Sequence, residues 1–197
     1  QSVMVPALLA ALIAGATFVN VQPLTVAFVP HAFRFTPVHG PANVAVPSII
    51  KELDLDGTAA EWINSAYALV FAALLVTLGR VGDVTGRRRL YLVGLGIFMG
   101  ASMLAGLAPT GELLILARVL QGVGGAMILP ATQSILNTNF RGRDRAIAFA
   151  IWGSVIGGMA ALGPLLGGWL TTNLSWRWAF FINLPIGLIA IAGTLIY

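Results

Sequence analysis

One cation lies within a long apolar stretch of the sequence. Arg118 is the only charged residue between Leu113 and Leu136, and Gln121 and Gly122 follow it three and four positions later. A charged side chain inside a membrane-spanning helix costs at least ~2.5 kcal/mol on insertion scales, so it should face the interior of a helix bundle and have a partner. Two interpretations stay open: Arg118 has a functional role within the membrane, or it makes a structural hydrogen bond that ties its helix, the fourth predicted span, to the first predicted span.

Groups suited to covalent catalysis or metal binding are sparse. The 197 residues include no cysteine and only two histidines, His31 and His39. Thiolate chemistry and cysteine-based zinc sites are thereby excluded. The sequence shows neither a nucleophile paired with a base nor a phosphate-binding loop. We therefore expect that the protein is not an enzyme, that it uses no cofactor, and that ATP is not its energy source.

The composition places these residues in a membrane protein. The chain is 58% hydrophobic and only 9% charged, whereas a soluble domain carries about 25% charged residues. So few charges cannot cover a water-facing surface, and a soluble protein of this composition would expose large apolar patches. The net charge of +4 does not indicate nucleic acid, because the basic residues form short clusters between apolar runs. We predict a multi-pass protein surrounded by the lipid bilayer.

Six apolar runs are long enough to span that bilayer, which takes about 20 residues each. They cover residues 3–21, 63–79, 90–108, 113–136, 146–171 and 178–197. Lys and Arg concentrate in the connections after spans two and four, residues 80–89 and 141–145. Basic connections remain in the cytoplasm, so both termini are predicted to be cytoplasmic. The predicted fold is an all-α membrane protein, a bundle of six transmembrane helices.

Residues 22–42 do not fit this pattern. They contain four prolines and Arg34. Proline removes a backbone hydrogen bond, and unpaired backbone is not tolerated against lipid. We predict an irregular, proline-rich insertion that leaves the bilayer or lines a cavity within the protein.

Small and aromatic residues recur at defined places in the spans. Gly96 and Gly100, like Gly153 and Gly157, are four residues apart, and such pairs let helix backbones approach closely in lipid. We interpret Gly96 and Gly100 as generic contacts between helices. Four tryptophans lie near span ends, as an interfacial aromatic belt would have them: Trp62, Trp169, Trp176 and Trp178.

The connection between spans two and three reads GRVGDVTGRRRL over residues 79–90. Its glycines allow a tight turn and close helix contact. Asp83 can pair with Arg87 and accept hydrogen bonds from the N-terminus of a neighbouring helix. The segment resembles the signature G-x-L-A-D-R-x-G-R-K-x-x-L of the major facilitator superfamily, in which the acid is thought to latch the two halves of the transporter together. The resemblance implies a conformational latch formed by Gly79, Asp83, Gly86, Arg87 and Arg88.

Two further segments resemble motifs of the same family. Residues 114–127 match its R-x-x-Q-G-x-G motif through Arg118, Gln121, Gly122 and Gly124, which implies a role in proton coupling or substrate contact for Arg118, Gln121 and Gly122. Residues 161–170 match the G-P-x-x-G-G motif of its antiporters. The second motif predicts a hinge and a seal against leak, because proline bends a helix and glycines allow close contact; a simple kinked helix is the alternative. The hinge residues are Gly163, Pro164, Gly167 and Gly168.

The segments WRWAFFINLPIG, residues 176–187, and WINSAYALVFAALL, residues 62–75, narrow the resemblance to drug:proton antiporters with fourteen predicted spans. It implies the N-terminal half of a major facilitator fold, a 3+3 inverted repeat. The implied activity is export of small amphipathic molecules or drugs across the inner membrane of a bacterial cell. The proton gradient would supply the energy and a second half of six or more spans would be the partner. Asn20, Tyr67 and Trp152 are further candidates to line the substrate cavity of such a transporter.

One feature of that subfamily is missing from the sequence. Its first span carries an acid, whereas here only the tail of that span is present, as NVAVPSI in residues 43–49, and an alternative alignment places Pro23 at the acid. None of the seven carboxylates lies within a predicted span. Two alternatives to a complete exporter therefore remain: a non-transporting six-span membrane subunit, or a half-transporter that needs a second half or a homodimer.

Overall fold

The computed structural model describes the backbone of residues 41–196 and the side chains of residues 45–159 and 162–196. The predicted first span, most of the predicted insertion and Asn20 lie outside these residues. The described chain forms seven helices: α1 (Pro41–Leu53), α2 (Gly57–Thr85), α3 (Arg87–Leu107), α4 (Gly111–Asn139), α5 (Gly142–Asn173), α6 (Trp178–Phe181) and α7 (Asn183–Ile196).

Within residues 41–196, five stretches are long and apolar enough to cross a membrane: α2, α3, α4, α5, and α6 together with α7. They overlap predicted spans two to six. Several helices are longer than the apolar runs, because capping and turn residues set their ends. Asp56 accepts a hydrogen bond from the backbone N–H of Ala59 at 2.6 Å, so α2 begins six residues before the predicted span. It ends where Gly86 adopts a φ of 98°, a conformation that glycine favours.

Helix α1 corrects one sequence-based boundary. The predicted irregular segment extends to residue 42, but Pro41 and Ala42 are helical and continue into α1. Ala45 and Ile49 are fully buried and are one helical turn apart, so they lie on the same face. Proline is tolerated within a membrane helix where neighbouring structure satisfies the freed backbone, and α1 includes Pro47 as well.

Helix α4 is the centre of the described bundle. It packs along α2 and α3, while α5 packs mainly against α1. Two clusters of buried apolar side chains fill the contacts. One contains Tyr67, Leu90, Tyr91, Leu95, Phe98, Met127, Ile128, Ala131 and Ala190. The other contains Ala45, Ile49, Ile63, Ala105, Ala108, Leu114, Ala117, Trp176 and Phe180.

The sixth span is interrupted at Ile182, between α6 and α7. Pro185 accounts for the interruption, because proline has no N–H to donate to the carbonyl four residues earlier, that of Phe181. The next residue after the interruption is Asn183, a buried polar residue. The local sequence thus places an amide side chain at the start of α7.

Two of the glycine pairs, Gly96 with Gly100 and Gly153 with Gly157, do not make the expected contacts in the described part of the chain. A methyl group added to Gly96, Gly100, Gly153 or Gly157 would meet no atom of the described residues within 4 Å. The interpretation of Gly96 and Gly100 as helix contacts is therefore wrong here. Their neighbour Gly94 makes the close contact instead: a Cβ there would lie 2.6 Å from Met127 Cβ and 3.0 Å from Gly124 O. The rotation of α3, rather than the spacing of its glycines, decides which of them faces α4.

Candidate functional site

Arg118 lies on the face of α4 that packs inside the bundle, and only 2% of it is exposed. Its Nε donates to the backbone carbonyl of Ile63 at 3.0 Å. Its Nη1 donates to Gln121 Oε1, also at 3.0 Å. The guanidinium carbon lies 4.4 Å from the centre of the Tyr67 ring. The side chain is thus held by two neutral acceptors and an aromatic face.

No carboxylate pairs with Arg118 among the described residues, whose only ion pairs lie near the ends of the helices. A desolvated cation over an aromatic ring gains about 2 kcal/mol, and hydrogen bonds to a charged group contribute about 1.5–3 kcal/mol each. These contacts offset an insertion cost of at least ~2.5 kcal/mol. The structural interpretation placed the partner of Arg118 in span one, whereas the described partners lie in span two and in α4 itself.

Gln121 extends the network to two more spans. Its Nε2 donates to Ser102 Oγ in α3 at 2.7 Å, and Asn183 Nδ2 in α7 donates to the same oxygen at 3.1 Å. Gln121, Ser102 and Asn183 are all buried. The sequence-based prediction missed Ser102 and Asn183. A signal was present, since each is an isolated polar residue in an apolar run.

Glycines in the R-x-x-Q-G-x-G segment bring α4 close to the helices that it contacts. A Cβ at Gly122 would lie 2.8 Å from the carbonyl oxygen of Tyr67, and one at Gly125 would lie 2.7 Å from the Tyr67 hydroxyl. On the α3 side, a Cβ at Gly124 would lie 2.8 Å from both Gly94 O and Phe98 N. Larger side chains at these positions would separate Arg118 and Gln121 from their partners.

The other cavity candidates lie in different surroundings. Tyr67 is fully buried under Arg118, so it forms a wall of the Arg118 site, and its hydroxyl has no hydrogen-bond partner among the described residues. Trp152 is half-buried in α5 and has an edge-to-face contact with Phe149. No described hydrogen bond or ring contact joins it to Arg118. Asn20 lies outside the described residues.

The predicted latch residues lie where α2 turns into α3. Arg87 Nη2 donates to Asp83 Oδ1 at 3.2 Å, so the expected pair is present. An exposed pair of this kind contributes about 0–1 kcal/mol. No hydrogen bond from a backbone N–H reaches Asp83 among the described residues. Gly86 provides the turn with its positive φ, and Gly79 faces Pro130, to which an added Cβ would be 3.5 Å away.

Arginines of this connection also contact the ends of other helices. Arg87 Nη1 donates to the backbone carbonyl of Ser134 at 3.4 Å and to the hydroxyl of Thr138, both near the end of α4. Arg88 Nη2 donates to the carbonyl of Leu195 in the last turn of α7 at 3.2 Å. The C-terminal end of a helix carries partial negative charge and unpaired carbonyls. The basic connection therefore holds the ends of α4 and α7 beside α3.

A second polar cluster, unpredicted from the sequence, lies at the opposite end of α3. Arg177 donates to the carbonyls of Gly106 and Ala108 at 3.0 Å each and to Glu52 Oε1 at 3.1 Å. Trp176 Nε1 donates to the other oxygen of Glu52 at 2.7 Å. The cluster joins α1, the end of α3 and the connection before α6.

The predicted hinge lies in an unbroken stretch of α5. Gly163 and Gly167 are buried on one face of the helix, Pro164 and Gly168 are half-buried, and the helix continues through Pro164 to Asn173. The buried glycines leave room for a close neighbour. Their role as a hinge and a seal stays a prediction.

Known proteins are similar to this chain in sequence and in fold. The sequence pattern of the Major Facilitator Superfamily matches residues 31–197. The chain is 45% identical over 152 residues to puromycin resistance protein pur8 of Streptomyces alboniger. The matched region covers 77% of this chain and 30% of that protein. It is 38% identical over 150 residues to multidrug transporter protein MdtP of Bacillus subtilis, with coverage of 76% and 27%.

A third relative is multidrug efflux pump LfrA of Mycolicibacterium smegmatis, 43% identical over 143 residues, with coverage of 72% and 28%. The chain thus spans about 30% of the length of the curated relatives that it matches. Among solved structures, a bacterial homolog to the human lysosomal transporter Spinster, inward-facing and unoccupied, superposes with a TM-score of 0.65 at 22% identity, covering 98% of this chain and 42% of the other. That likeness concerns the fold alone. The chain, a multi-pass membrane protein of all-α fold, belongs to the Major Facilitator Superfamily.

Proposed function

We propose that this chain is the N-terminal half of a secondary transporter that exports small amphipathic molecules or drugs in exchange for protons. Membership of the family supports transport, and the relatives named for puromycin resistance and multidrug efflux support drugs as the substrate class. The observation that carries the proposal is the buried Arg118 network. A cation at this depth is costly, and purely structural contacts within a bundle do not require a charge.

Arg118 is suited to respond to charge. In a medium of low dielectric constant, the interaction between two charges is several times stronger than in water. Because no described carboxylate neutralises Arg118, a proton or a charged substrate that enters the bundle changes the electrostatic energy of its guanidinium directly. Coupling through Arg118 thus needs no covalent chemistry, no ATP and no bound cofactor, and the proton gradient supplies the energy.

The proposed orientation rests on the two basic connections. The connection from Arg80 to Arg89 and the one from Arg141 to Arg145 both follow even-numbered spans, and basic connections remain in the cytoplasm. With six spans, both termini are then cytoplasmic. The corresponding location is the cytoplasmic membrane of a bacterial cell.

A second half is the proposed partner. Alternating access requires two bundles that rock about a central site. The chain spans about 30% of the length of the matched relatives, and the resemblance to the fourteen-span antiporters implies at least six further spans. Much of α2 is uncovered: Leu69, Val76 and Val84 are exposed. An open groove of about 540 Å³ there is lined by Val76, Thr77, Arg80, Val81, Val84 and Thr85.

A non-transporting six-span subunit is the second candidate. Two observations favour it: the sequence lacks the acid that the related antiporters carry in span one, and no described carboxylate contacts Arg118. A half-transporter that works as a homodimer or with a separate second half is the intermediate case. The three candidates differ in whether the chain transports alone, only together with a second half, or not at all.

The test measures efflux from bacteria that lack their own drug exporters. The cells express the complete reading frame that encodes residues 1–197, and the probes are ethidium, an amphipathic cation, and puromycin. We expect efflux that a protonophore abolishes and that Arg118→Ala reduces at least tenfold. Thr132→Val is the matched control, because Thr132 is buried in the same helix but, among the described residues, its hydroxyl donates only to Ile128 O in that helix, at 2.8 Å.

Equal efflux by Arg118→Ala and the parent protein, at equal amounts in the membrane, would show that the coupling role of Arg118 is wrong. A second arm expresses residues 1–197 alone and together with the remaining spans as a separate chain. Efflux by residues 1–197 alone would favour a homodimer. Restoration only by the second chain would favour two complementary halves, and no efflux from any combination would favour the non-transporting subunit.

A further inference from the structure

Four spans meet in one chain of buried hydrogen bonds. It runs from Ile63 O in α2 through Arg118 and Gln121 in α4 to Ser102 in α3, and it includes Asn183 in α7. Ser102 is fully buried, and Asn183 is 5% exposed. We infer that Ser102 and Asn183 are positioning residues, which orient the Gln121 amide and through it the Arg118 guanidinium. This inference rests on the proposed role of Arg118 in transport.

The orientation of Gln121 follows from donor and acceptor chemistry. A guanidinium group can only donate hydrogen bonds, so the Gln121 oxygen must face Arg118. Its NH₂ group must then point the other way, where Ser102 Oγ lies at 2.7 Å. A hydroxyl oxygen accepts two hydrogen bonds, so Ser102 accepts from Gln121 and from Asn183 together. Without Ser102, the Gln121 NH₂ would be buried without this acceptor, and nothing on that side would fix the amide.

The guanidinium depends on this orientation. Two of its nitrogens have described partners, Nε on Ile63 O and Nη1 on Gln121 Oε1. The planar group is fixed by these two bonds and by the Tyr67 ring beneath it. If the Nη1 bond is lost, the group is held at Nε alone and can rotate over the ring. The direction in which Arg118 presents its remaining N–H groups would then vary.

Asn183 connects this arrangement to the sixth span. It is the first residue of α7, directly after the interruption at Ile182, and it follows α6 by only two positions. A change in the angle between α6 and α7 would move its amide relative to Ser102. The network thus makes the orientation of Arg118 in span four sensitive to the position of span six.

The test uses the complete reading frame and ethidium efflux, with each rate divided by the amount of protein in the membrane. We expect Ser102→Ala to lower the rate about fivefold and Ser102→Thr, which keeps the hydroxyl, to restore at least half of the parent rate. Ser102 acts on Arg118 through the hydrogen bond from Arg118 to Gln121. The double variant Ser102→Ala with Gln121→Ala should therefore transport no more slowly than Gln121→Ala alone.

A pH profile separates positioning from a merely structural effect. Ser102→Ala and Gln121→Ala should shift the pH dependence of efflux in the same direction, whereas a packing defect would lower the rate by the same factor at every pH. If the losses of efflux rate multiply when Ser102→Ala and Gln121→Ala are combined, or if the pH profile does not shift, the inference is overturned while the proposed function stands. If Arg118→Ala leaves efflux unchanged, the proposed function fails first, and the inference fails with it.

Discussion

Replacement of Gly124 by alanine should weaken the contact between α3 and α4. A Cβ at this position would lie 2.8 Å from Gly94 O and 2.8 Å from Phe98 N. Both atoms belong to the backbone of α3, so no side-chain rotation can make room. The matched control is Gly100→Ala in α3, where an added Cβ would meet nothing within 4 Å.

The magnitude follows from these distances. An ordinary van der Waals contact of a Cβ begins near 3.4 Å, so α3 and α4 must separate by roughly half an ångström. Overpacking of a well-packed contact costs about 1–3 kcal/mol. Alanine is a better helix former than glycine by about 1 kcal/mol, but this gain applies to both variants. The difference between Gly124→Ala and Gly100→Ala in the free energy of unfolding should therefore be about 1–3 kcal/mol.

The assay is thermal unfolding of the purified protein in detergent, followed by intrinsic tryptophan fluorescence. The chain has five tryptophans and no cysteine, so this signal is available whereas a thiol-reactive dye would not report unfolding. A difference of 1 kcal/mol corresponds to a shift of about 2–4 °C in melting temperature for a chain of this size. We expect Gly124→Ala to melt below the parent and Gly100→Ala to melt at or above it. If Gly124→Ala melts as high as Gly100→Ala, the close approach of the two helices is wrong.

Three more predictions concern the ends of the helices, and each is measured by the same unfolding assay. Arg177→Ala should lower the unfolding free energy by about 1–2 kcal/mol, because it removes two charged hydrogen bonds to the end of α3 and the pair with Glu52. This value is reduced because these contacts are partly exposed to solvent. Glu52→Gln, which keeps an acceptor oxygen, should lower the unfolding free energy less. Asp56→Ala should cost about 1 kcal/mol, the usual value for loss of an N-cap, and no change would contradict the cap. Arg87→Ala should destabilise the protein more than Arg89→Ala, because only Arg87 has described contacts with α4; equal melting temperatures would argue against these contacts.

The spans and their approximate limits could be predicted because hydropathy is a local property. Predicted spans two to six overlap the five membrane-length stretches of residues 57–196. The observed helix ends differ from the predicted span limits because helix termini depend on individual residues, such as the cap at Asp56 and the turn at Gly86. The predicted irregular segment extends two residues too far, since proline content alone does not exclude a helix inside a bundle.

The contacts of individual residues were harder to predict. Four tryptophans near span ends were expected to form an interfacial belt. Trp62, Trp169 and Trp178 are 49–59% exposed, in keeping with that expectation, but Trp176 is 1% exposed and donates to Glu52. Glu52 is 124 residues away in the chain, so no local pattern could have indicated the pair.

Some residues of the candidate site could likewise be predicted from the sequence, and others could not. The sequence identified Arg118, Gln121 and Gly122, because a cation in an apolar run stands out. It did not identify Ser102 and Asn183, since an isolated serine or asparagine in an apolar run indicates a polar contact but not its partner. The latch pair of Asp83 and Arg87 was predictable because the two residues are four apart on one helix, whereas the contacts of Arg87 and Arg88 with the ends of α4 and α7 were not.

The sequence by itself determined that this protein is a helical membrane protein, where spans two to six lie, and which family it resembles. These properties depend on composition, charge and spacing along the chain. Only the tertiary structure decided which glycines face a neighbouring helix and which groups hold Arg118. Those outcomes depend on how each helix is rotated about its axis, and rotation is set by contacts between residues that are far apart in the sequence.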